Sequence, residues 1–286
     1  MSTPPGGSPS RLGGNTPCVE VLESGCETLI LDAGMGLHWL GCDLMGRGFA
    51  CGAGVAHVLL THLHWGHIQG IPFFPPLLVP GNRITFCGGS APGRPLSELL
   101  SLQMDDVYCP VPNALGDDVG AAVSVREIGP GSFTIGAWRV TAARVQHSGP
   151  CLGFRVECGS ASLAYLPDVE YLERRHWRPA LELAEGADLL IHDAHCTAAE
   201  YPASRGHGHC CDRDAVRLAR QAGSRHLLLF HHRPERVDPD EYGPALAAAP
   251  DLSVEPAREG AVYALAGGEA EPVPAPAGAQ GAEGST

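Results

Sequence analysis

The sequence feature that most constrains the fold is a series of short apolar runs that each end in a polar side chain. Leu29-Ile30-Leu31 is followed by Asp32, and Leu227-Leu228-Leu229-Phe230 is followed by His231. Three further runs end in the same way, at His147, Asp168 and Asp193. A charged or metal-binding group at the end of a buried strand costs folding free energy unless it has a partner. One such residue is usually a turn or a cap, but five indicate a common site at one edge of the sheets.

These runs predict an α/β protein with two sheets and helices outside them. Several runs are continuously apolar, as in strands that are buried on both faces. The predicted strands are Thr28–Asp32, His57–His62, Arg83–Cys87, Ala122–Ile128, Phe133–His147, Leu152–Cys158, Ser162–Leu166, Asp188–His192 and His226–His231. Helices are predicted at Leu96–Met104, Arg178–Ala187 and Asp212–Ala222. Strands come first and strand–helix alternation follows, which favours two sheets with outer helices.

The two ends of the chain differ in composition from the middle. Residues 1–15 and 267–286 are rich in Pro, Ala and Gly and are predicted to be disordered tails around one domain at 16–266. The first ten residues contain no apolar core segment, so no secretory signal is predicted. The 11 cysteines form no C-x-x-C pair and are expected to be reduced. We therefore expect a cytoplasmic protein.

Charge and hydropathy exclude several classes of function. The formal net charge is −13, and all 19 basic residues are arginines without a dense run among them. A protein that binds long nucleic acids normally carries a basic patch, so this activity is not expected. No stretch approaches the roughly 20 apolar residues that a membrane helix needs, so no membrane partner is expected either.

The segment Thr61–His67 contains three histidines, His62, His64 and His67, directly after a predicted strand. A loop at this place can turn several side chains toward one point. Imidazoles are ligands that suit zinc, iron or manganese. On spacing alone, buried or exposed histidines without a metal remain an alternative, since the chain contains 14 histidines. Together with the polar strand ends, the cluster favours a metal site.

Several motifs, taken in their order along the chain, resemble those of the metallo-β-lactamase-fold hydrolases. The nearest branch contains the cyclic phosphodiesterases and tRNase Z. The segments that carry the resemblance are 13–21, 31–34, 61–74, 147–150, 165–168, 191–194 and 229–232. The resemblance implies an αββα sandwich, in which two mixed β-sheets are flanked by helices and the metals lie at one edge.

The resemblance also implies roles for individual residues. The first metal would be held by His62, His64 and His147. A second metal would be bound by His67 and His231, and Asp168 would bridge the two metals as a ligand and a catalytic group. Asp32 would orient a ligand histidine from behind. The implied cofactor is Zn²⁺, one or two per chain, with Mn²⁺ or Fe²⁺ as alternatives.

A further motif, Gly206-His207-Gly208-His209-Cys210-Cys211, precedes the helix predicted at Asp212–Ala222. The similar branch has Gly-His-Ser-Thr here, and its histidine is thought to protonate the leaving oxygen. His209 matches that histidine, and the near-neutral pKa of imidazole suits a general acid. A packing or helix-capping role for His209 is the alternative. His207 is interpreted as a loop residue.

Gly66 departs from the family motif, which is usually H-x-H-x-D-H. The missing carboxylate normally ligates the second metal or handles the proton of the nucleophile. Loss of a negative charge weakens a site for a dication. Three interpretations follow from this departure. The second metal binds by other means and hydrolysis persists, or one metal supports an altered reaction, or the chain has kept only a binding role.

The leading hypothesis is a metal-dependent hydrolase of a small phosphodiester, with cyclic phosphodiesters included. Phosphodiesterase-like activity fits the branch resemblance, His209 and the acidic composition. Because the acidic composition disfavours long nucleic acids, the expected partner is a small-molecule substrate. One alternative is a divergent enzyme acting on a non-phosphate ester, lactone or thioester, because one fold hosts many chemistries. The other is a non-catalytic metal-binding protein. Relatives of this branch often dimerise, which makes a homodimer compatible with the resemblance.

Overall fold

A computed structural model of the chain describes residues 11–109, 120–266 and 269–273. These residues divide into two compact units. The first unit contains described residues from 15–144 together with 149–152. The second contains 11–14, 145–148 and the described residues from 153 onward.

The first unit is built on a five-stranded mixed sheet in the order β1-β2-β3-β4-β5. The strands are β1 (Val19–Val21), β2 (Thr28–Leu31), β3 (Val55–Leu60), β4 (Arg83–Gly88) and β5 (Ala122–Glu127). β1 is antiparallel to β2, whereas the other neighbours are parallel. Because β2 and β3 run parallel, Asp32 and Thr61 follow these strands at the same edge of the sheet.

Helices pack one buried face against this sheet. They are α1 (Gly36–Met45), α2 (Trp65–Ile68) and α3 (Leu96–Ser101), with 3₁₀ helices at Phe49–Cys51, Ile71–Phe73, Pro75–Leu78 and Leu102–Met104. Ile30, Leu37, Val58, Phe74 and Phe86 belong to one core cluster that joins the strands and the helices. The core fixes the strand ends that carry the histidine segment.

The second unit contains a second mixed sheet, whose strands in this unit lie in the order β12-β11-β10-β9-β8. The strands are β8 (Cys151–Cys158), β9 (Ala161–Leu166), β10 (Leu189–Asp193), β11 (His226–Phe230) and β12 (Ser253–Pro256). β8 is antiparallel to β9, and the remaining pairs are parallel. The carboxyl ends of β9, β10 and β11 therefore meet at one edge, as the polar strand ends predicted.

The helices of the second unit follow its strands. They are α4 (Arg174–Ala184), α5 (Tyr201–Ser204), α6 (Asp212–Ala222) and α7 (Gly243–Ala247), with a 3₁₀ helix at Pro239–Tyr242. α6 has the predicted bounds, and Gly223 closes it in the left-handed conformation with φ 66°. None of the helices among the described residues is long and apolar enough to span a membrane.

The predicted fold class is confirmed as two mixed β-sheets flanked by helices. The single strand predicted at Phe133–His147 is wrong. It is a hairpin of β6 (Gly131–Ile135) and β7 (Trp138–Val145), since Gly136, at φ 53°, allows a two-residue turn. α4 begins earlier than predicted, because Glu173 and His176 cap its first turn reciprocally.

The predicted domain and tail limits fall partly outside the described residues. Inside the first predicted tail, Leu12 is buried and Arg11 N–H donates to the Val237 carbonyl at 3.0 Å. Inside the second, β14 (Glu269–Val273) pairs antiparallel with β13 (Val262–Ala266). Residues 1–10 and 274–286, also predicted as tails, lie outside the description.

Asn82 stabilises three backbone groups inside the first unit. Its buried amide donates to the carbonyls of Phe49 and Pro76, both at 3.0 Å, and its carbonyl accepts from Gly54 N–H at 2.8 Å. Asn82→Ala leaves these groups without their partner, at about 1–3 kcal/mol for each buried group left unsatisfied. We expect urea denaturation to show a loss of about 3 kcal/mol or more. Gln221→Ala, on the exposed face of α6, should change stability by less than about 0.5 kcal/mol.

Candidate metal centre

Asp32 organises the histidine segment of the first unit. Its carboxylate is fully buried and accepts hydrogen bonds from Thr61 N–H at 2.8 Å and from the Thr61 hydroxyl at 2.9 Å. His67 Nδ1 donates to the second carboxylate oxygen at 2.8 Å. This bond makes Nε2 the nitrogen of His67 that presents a lone pair. Asp32 thus orients a candidate ligand histidine from behind.

The other two histidines of this segment lie beside His67. The rings of His62 and His67 have centroids 4.2 Å apart, and those of His62 and His64 are 4.4 Å apart. His62 Nε2 and His64 Nδ1 are separated by 2.9 Å. His62 and His67 are buried, whereas His64 is exposed. The first unit therefore collects three imidazoles within a small volume.

Asp168 is the centre of the corresponding group in the second unit. Its buried carboxylate oxygens lie 3.4 Å from His231 Nε2, 3.6 Å from His209 Nδ1 and 3.8 Å from His147 Nε2. Potential ligand atoms of His147, Asp168 and His209 lie within 4.8 Å of one another. Three imidazoles around one carboxylate form a donor set that suits a borderline divalent cation.

Glu170 builds the loop that positions His147. Its buried carboxylate accepts from Gly206 N–H at 2.6 Å, Gly208 N–H at 2.8 Å and the Tyr201 hydroxyl at 3.0 Å. The Gly208 carbonyl in turn accepts from His147 Nδ1 at 2.7 Å. A Cβ at Gly208 would lie 2.6 Å from His147 Nδ1, and its φ is +92°, so only glycine fits this close approach.

His209 forms a second hydrogen-bonded pair, with Asp193. Its Nδ1 donates to the fully buried Asp193 carboxylate at 2.9 Å. The other oxygen of Asp193 accepts from His195 N–H at 2.9 Å. Burial raises the pKa of Asp193 to about 6, while the contact with His209 lowers it. Burial also lowers the pKa of His195 to about 4, and the neighbouring His209 adds to this effect.

The protonation pattern of these rings fits a divalent cation. In each unit, ring nitrogens Nδ1 donate to fixed oxygens of the protein: Asp32 holds His67 in the first unit, and Gly208 and Asp193 hold His147 and His209 in the second. Outer partners of this kind set the tautomer and orientation of metal-binding histidines. The residues present therefore suit a metal ion of the zinc class.

Each unit contains its share of the site residues that the sequence predicts. The first unit places Asp32, His62, His64 and His67 together, and the second places His147, Asp168, His209 and His231 together. Glu170 and His195 are not predicted as site residues from the sequence, and Asp193 is predicted there only as a polar strand end. His195 lies two residues beyond Asp193, so the same pattern could have indicated it.

Comparisons with known proteins give the family of the chain. Residues 29–232 match the family described as Beta-lactamase superfamily domain. Ribonuclease Z of Geobacillus kaustophilus (strain HTA426) is 26% identical over 226 residues, covering 62% of this chain and 70% of that protein. Several other proteins named ribonuclease Z match over only 19% to 27% of their length.

Solved structures of low identity share the fold. The metallo-β-lactamase fold protein YhfI from Bacillus subtilis is 21% identical with a TM-score of 0.63, covering 88% of this chain and 92% of that one. PDE1 of yeast is 15% identical with a TM-score of 0.61, covering 88% and 95%. The chain is thus a metallo-β-lactamase-fold protein. It belongs to the β-lactamase superfamily, which confirms the family predicted from the motifs.

Gly66 offers space for the carboxylate that the family motif usually has. A Cβ added there would meet only Thr16 Cγ2, at 3.9 Å. Gly66→Asp should therefore fold and add a negative charge beside His67, since opposite charge strengthens dication binding. We expect at least one metal-binding step to tighten by about tenfold or more, in competition with a chelator.

Gly129→Asp is the matched control for this substitution. Gly129 is exposed and a Cβ there meets nothing within 4 Å, so the same charge is added at an open glycine outside the histidine segments. Its metal affinity should equal that of the wild type. Unchanged affinity in Gly66→Asp would show that position 66 does not reach a bound metal.

Glu170→Gln tests the support of His147. The amide keeps the size of the side chain but removes the charge that accepts three hydrogen bonds, so the Gly206–Gly208 loop should loosen. Loss of an outer partner typically lowers metal affinity about 10–100-fold. Tyr201→Phe removes only one of the three bonds and should have a smaller effect in the same chelator titration. Equal affinities in all three proteins would contradict a role for Glu170 in the site.

Proposed function

We propose that the protein is a metal-dependent hydrolase of small phosphodiesters, with cyclic phosphodiesters included. The observation that carries this proposal is the His209–Asp193 pair next to the Asp168 carboxylate in the second unit. A histidine held by a buried carboxylate is an arrangement that stabilises a protonated imidazole. It is what a proton donor to a leaving oxygen requires.

The proposed ligands are those that the family resemblance implies, with zinc as the proposed metal and Mn²⁺ or Fe²⁺ as alternatives. In this proposal His62, His64 and His147 would hold one ion, His67 and His231 would hold a second, and Asp168 would be a ligand to both. When bound, one or two such ions would supply Lewis-acid chemistry, activating water and neutralising negative charge on a phosphoryl oxygen. Support comes from the fixed tautomers of the histidines within each unit.

The chain's own residues supply the remaining steps. The Asp193 carboxylate accepts a hydrogen bond from Nδ1–H of His209 and fixes the ring, which directs Nε2 toward the substrate in this proposal. The protonated Nε2 gives its proton to the oxygen that leaves phosphorus, so no high-energy alkoxide is released. Asp193 compensates the positive charge of His209 until that transfer.

The acidic composition supports a small substrate over a long nucleic acid. Basic residues number 19 against 32 acidic ones, and the formal net charge is −13. Long RNA carries a dense array of phosphates, which an acidic surface repels. A small phosphodiester presents a single negative charge, and that charge can be neutralised inside the site.

His209→Ala tests the proton donor directly. We expect a fall in kcat of about 10²–10⁴-fold on a phosphodiester with an alkyl leaving group, since general acid catalysis contributes about that much. With bis(p-nitrophenyl) phosphate the fall should be much smaller, because p-nitrophenolate leaves without protonation. Zinc content by elemental analysis should match the wild type.

His207→Ala is the matched control, because His207 lies exposed in the same loop. It should retain wild-type kinetics on both substrates. Equal losses on both leaving groups in His209→Ala would contradict proton donation. Turnover of an ester, lactone or thioester in place of phosphodiesters would favour the alternative substrate class. Folded, zinc-loaded protein without any turnover would favour a non-catalytic role.

A further inference from the structure

His195 is a histidine of the second unit that lies outside the proposed ligand set but inside the cluster. Potential ligand atoms of His195, His209 and His231 all lie within 4.8 Å of one another. The ring centroids are 4.3 Å apart for His195 and His209, and 5.6 Å apart for His195 and His231. An additional imidazole is therefore present where His231 faces Asp168.

The hydrogen bonds of His195 prepare it for metal binding. Its Nδ1 donates to the backbone carbonyl of His231 at 3.1 Å. Nε2 is therefore the nitrogen with the lone pair, in the tautomer that metal-binding histidines adopt. The backbone is also fixed, because His195 N–H donates to Asp193 and the Ala194 carbonyl accepts from the Tyr242 hydroxyl at 2.7 Å.

A packing role alone does not require these features. A ring that only supports His209 by stacking needs an aromatic face. Its position does not depend on which ring nitrogen carries the proton. His195 is held through its ring nitrogen Nδ1, which is a contact that stacking does not need. With Nδ1 engaged in this way, Nε2 is the nitrogen that a metal ion can bind.

The ring planes distinguish His209 from its two neighbours. His209 is nearly parallel to both neighbours, at 21° to His195 and 18° to His231. In-plane lone pairs of parallel stacked rings run side by side and do not converge on one ion. His195 and His231 are inclined by 39° to each other, and His231 Nε2 lies 3.4 Å from Asp168. His209 also keeps its bond to Asp193, which leaves it for proton transfer.

We propose that His195 is a metal ligand, which together with His231 and Asp168 holds one divalent cation of the zinc class. This inference rests on the proposed function and adds a ligand to it. This chain lacks the carboxylate that the family motif usually has at position 66, and His195 supplies an imidazole donor to the chain's ligand set. A neutral nitrogen in place of an anionic oxygen favours Zn²⁺ over the oxygen-preferring Mn²⁺.

Removal of the imidazole tests the proposal by metal affinity. In His195→Ala, the zinc affinity of the weaker binding step, measured against a chromogenic chelator, should fall by about 100-fold or more. Loss of an outer partner alone lowers metal affinity about 10–100-fold. His207→Ala is the control, because His207 is an exposed histidine of the second unit, and its zinc affinity should remain within about twofold of the wild type. The ratio of Zn²⁺ to Mn²⁺ affinity should also fall in His195→Ala.

A cysteine at position 195 tests direct contact without reference to activity. In His195→Cys loaded with Co²⁺, a thiolate ligand gives a sulfur-to-cobalt charge-transfer band in the near ultraviolet. The band should be present in the difference spectrum against the Co²⁺-loaded wild type, which contains the natural cysteines. His207→Cys places a thiol in the exposed loop and should give no such band.

The outcomes separate this inference from the proposed function. Wild-type zinc affinity in His195→Ala, together with no new band in His195→Cys, overturns the ligand role and leaves the hydrolase proposal standing. A wild-type protein that binds no zinc or cobalt while folded overturns both. Loss of zinc affinity in His195→Ala with retained unfolding behaviour in urea, together with the new band, supports the ligand role.

Discussion

The cost of burying carboxylates at strand ends is the constraint on which the candidate centre depends. Asp32 in the first unit, and Asp168, Glu170 and Asp193 in the second, are all almost fully buried. An ionised group in such a place is tolerated only with hydrogen-bond donors or positive charge around it. Asp32, Glu170 and Asp193 accept backbone N–H groups and hold loops, whereas Asp168 faces imidazoles. The same requirement therefore shapes the loops and leaves Asp168 facing imidazoles, as a proposed cation ligand.

Backbone strain occurs at two residues of these strand ends. Asp32 has φ 59° and His231 has φ 55°, and they are the non-glycine residues with positive φ among those described. Such conformations cost about 1–3 kcal/mol each and persist where surrounding contacts determine them. Asp32 is held by Thr61 and His67, and the His231 carbonyl is held by His195. In each unit the positive φ turns the chain at the end of the strand. The side chain there points in a different direction from the one it would have if the strand continued.

Most strands and the strand-end positions could be predicted from the sequence, because apolar runs and their polar ends are local signals. The hairpin at Gly136 could not, since one glycine inside a long β-type run does not reveal whether it turns the chain. α1 was missed because Gly36 and Gly41 mask its helical pattern. Glu170 was missed for a different reason. Its role depends on backbone N–H groups of residues 206–208, and no side-chain pattern encodes such contacts.

The identity of the ligands bears on the substrate as well as on the metal. A divalent ion bound mainly by neutral imidazoles keeps more positive charge than one that also binds the usual carboxylate of the motif. Gly66 removes that carboxylate from the motif, and in the second unit Asp193 and Glu170 are already engaged with His209 and with backbone N–H groups. The residual charge attracts an anion more than a neutral ester or lactone. Under the proposed function, the departure at Gly66 is therefore compatible with hydrolysis, and we infer that it favours a phosphodiester because the substrate's own charge completes the neutralisation.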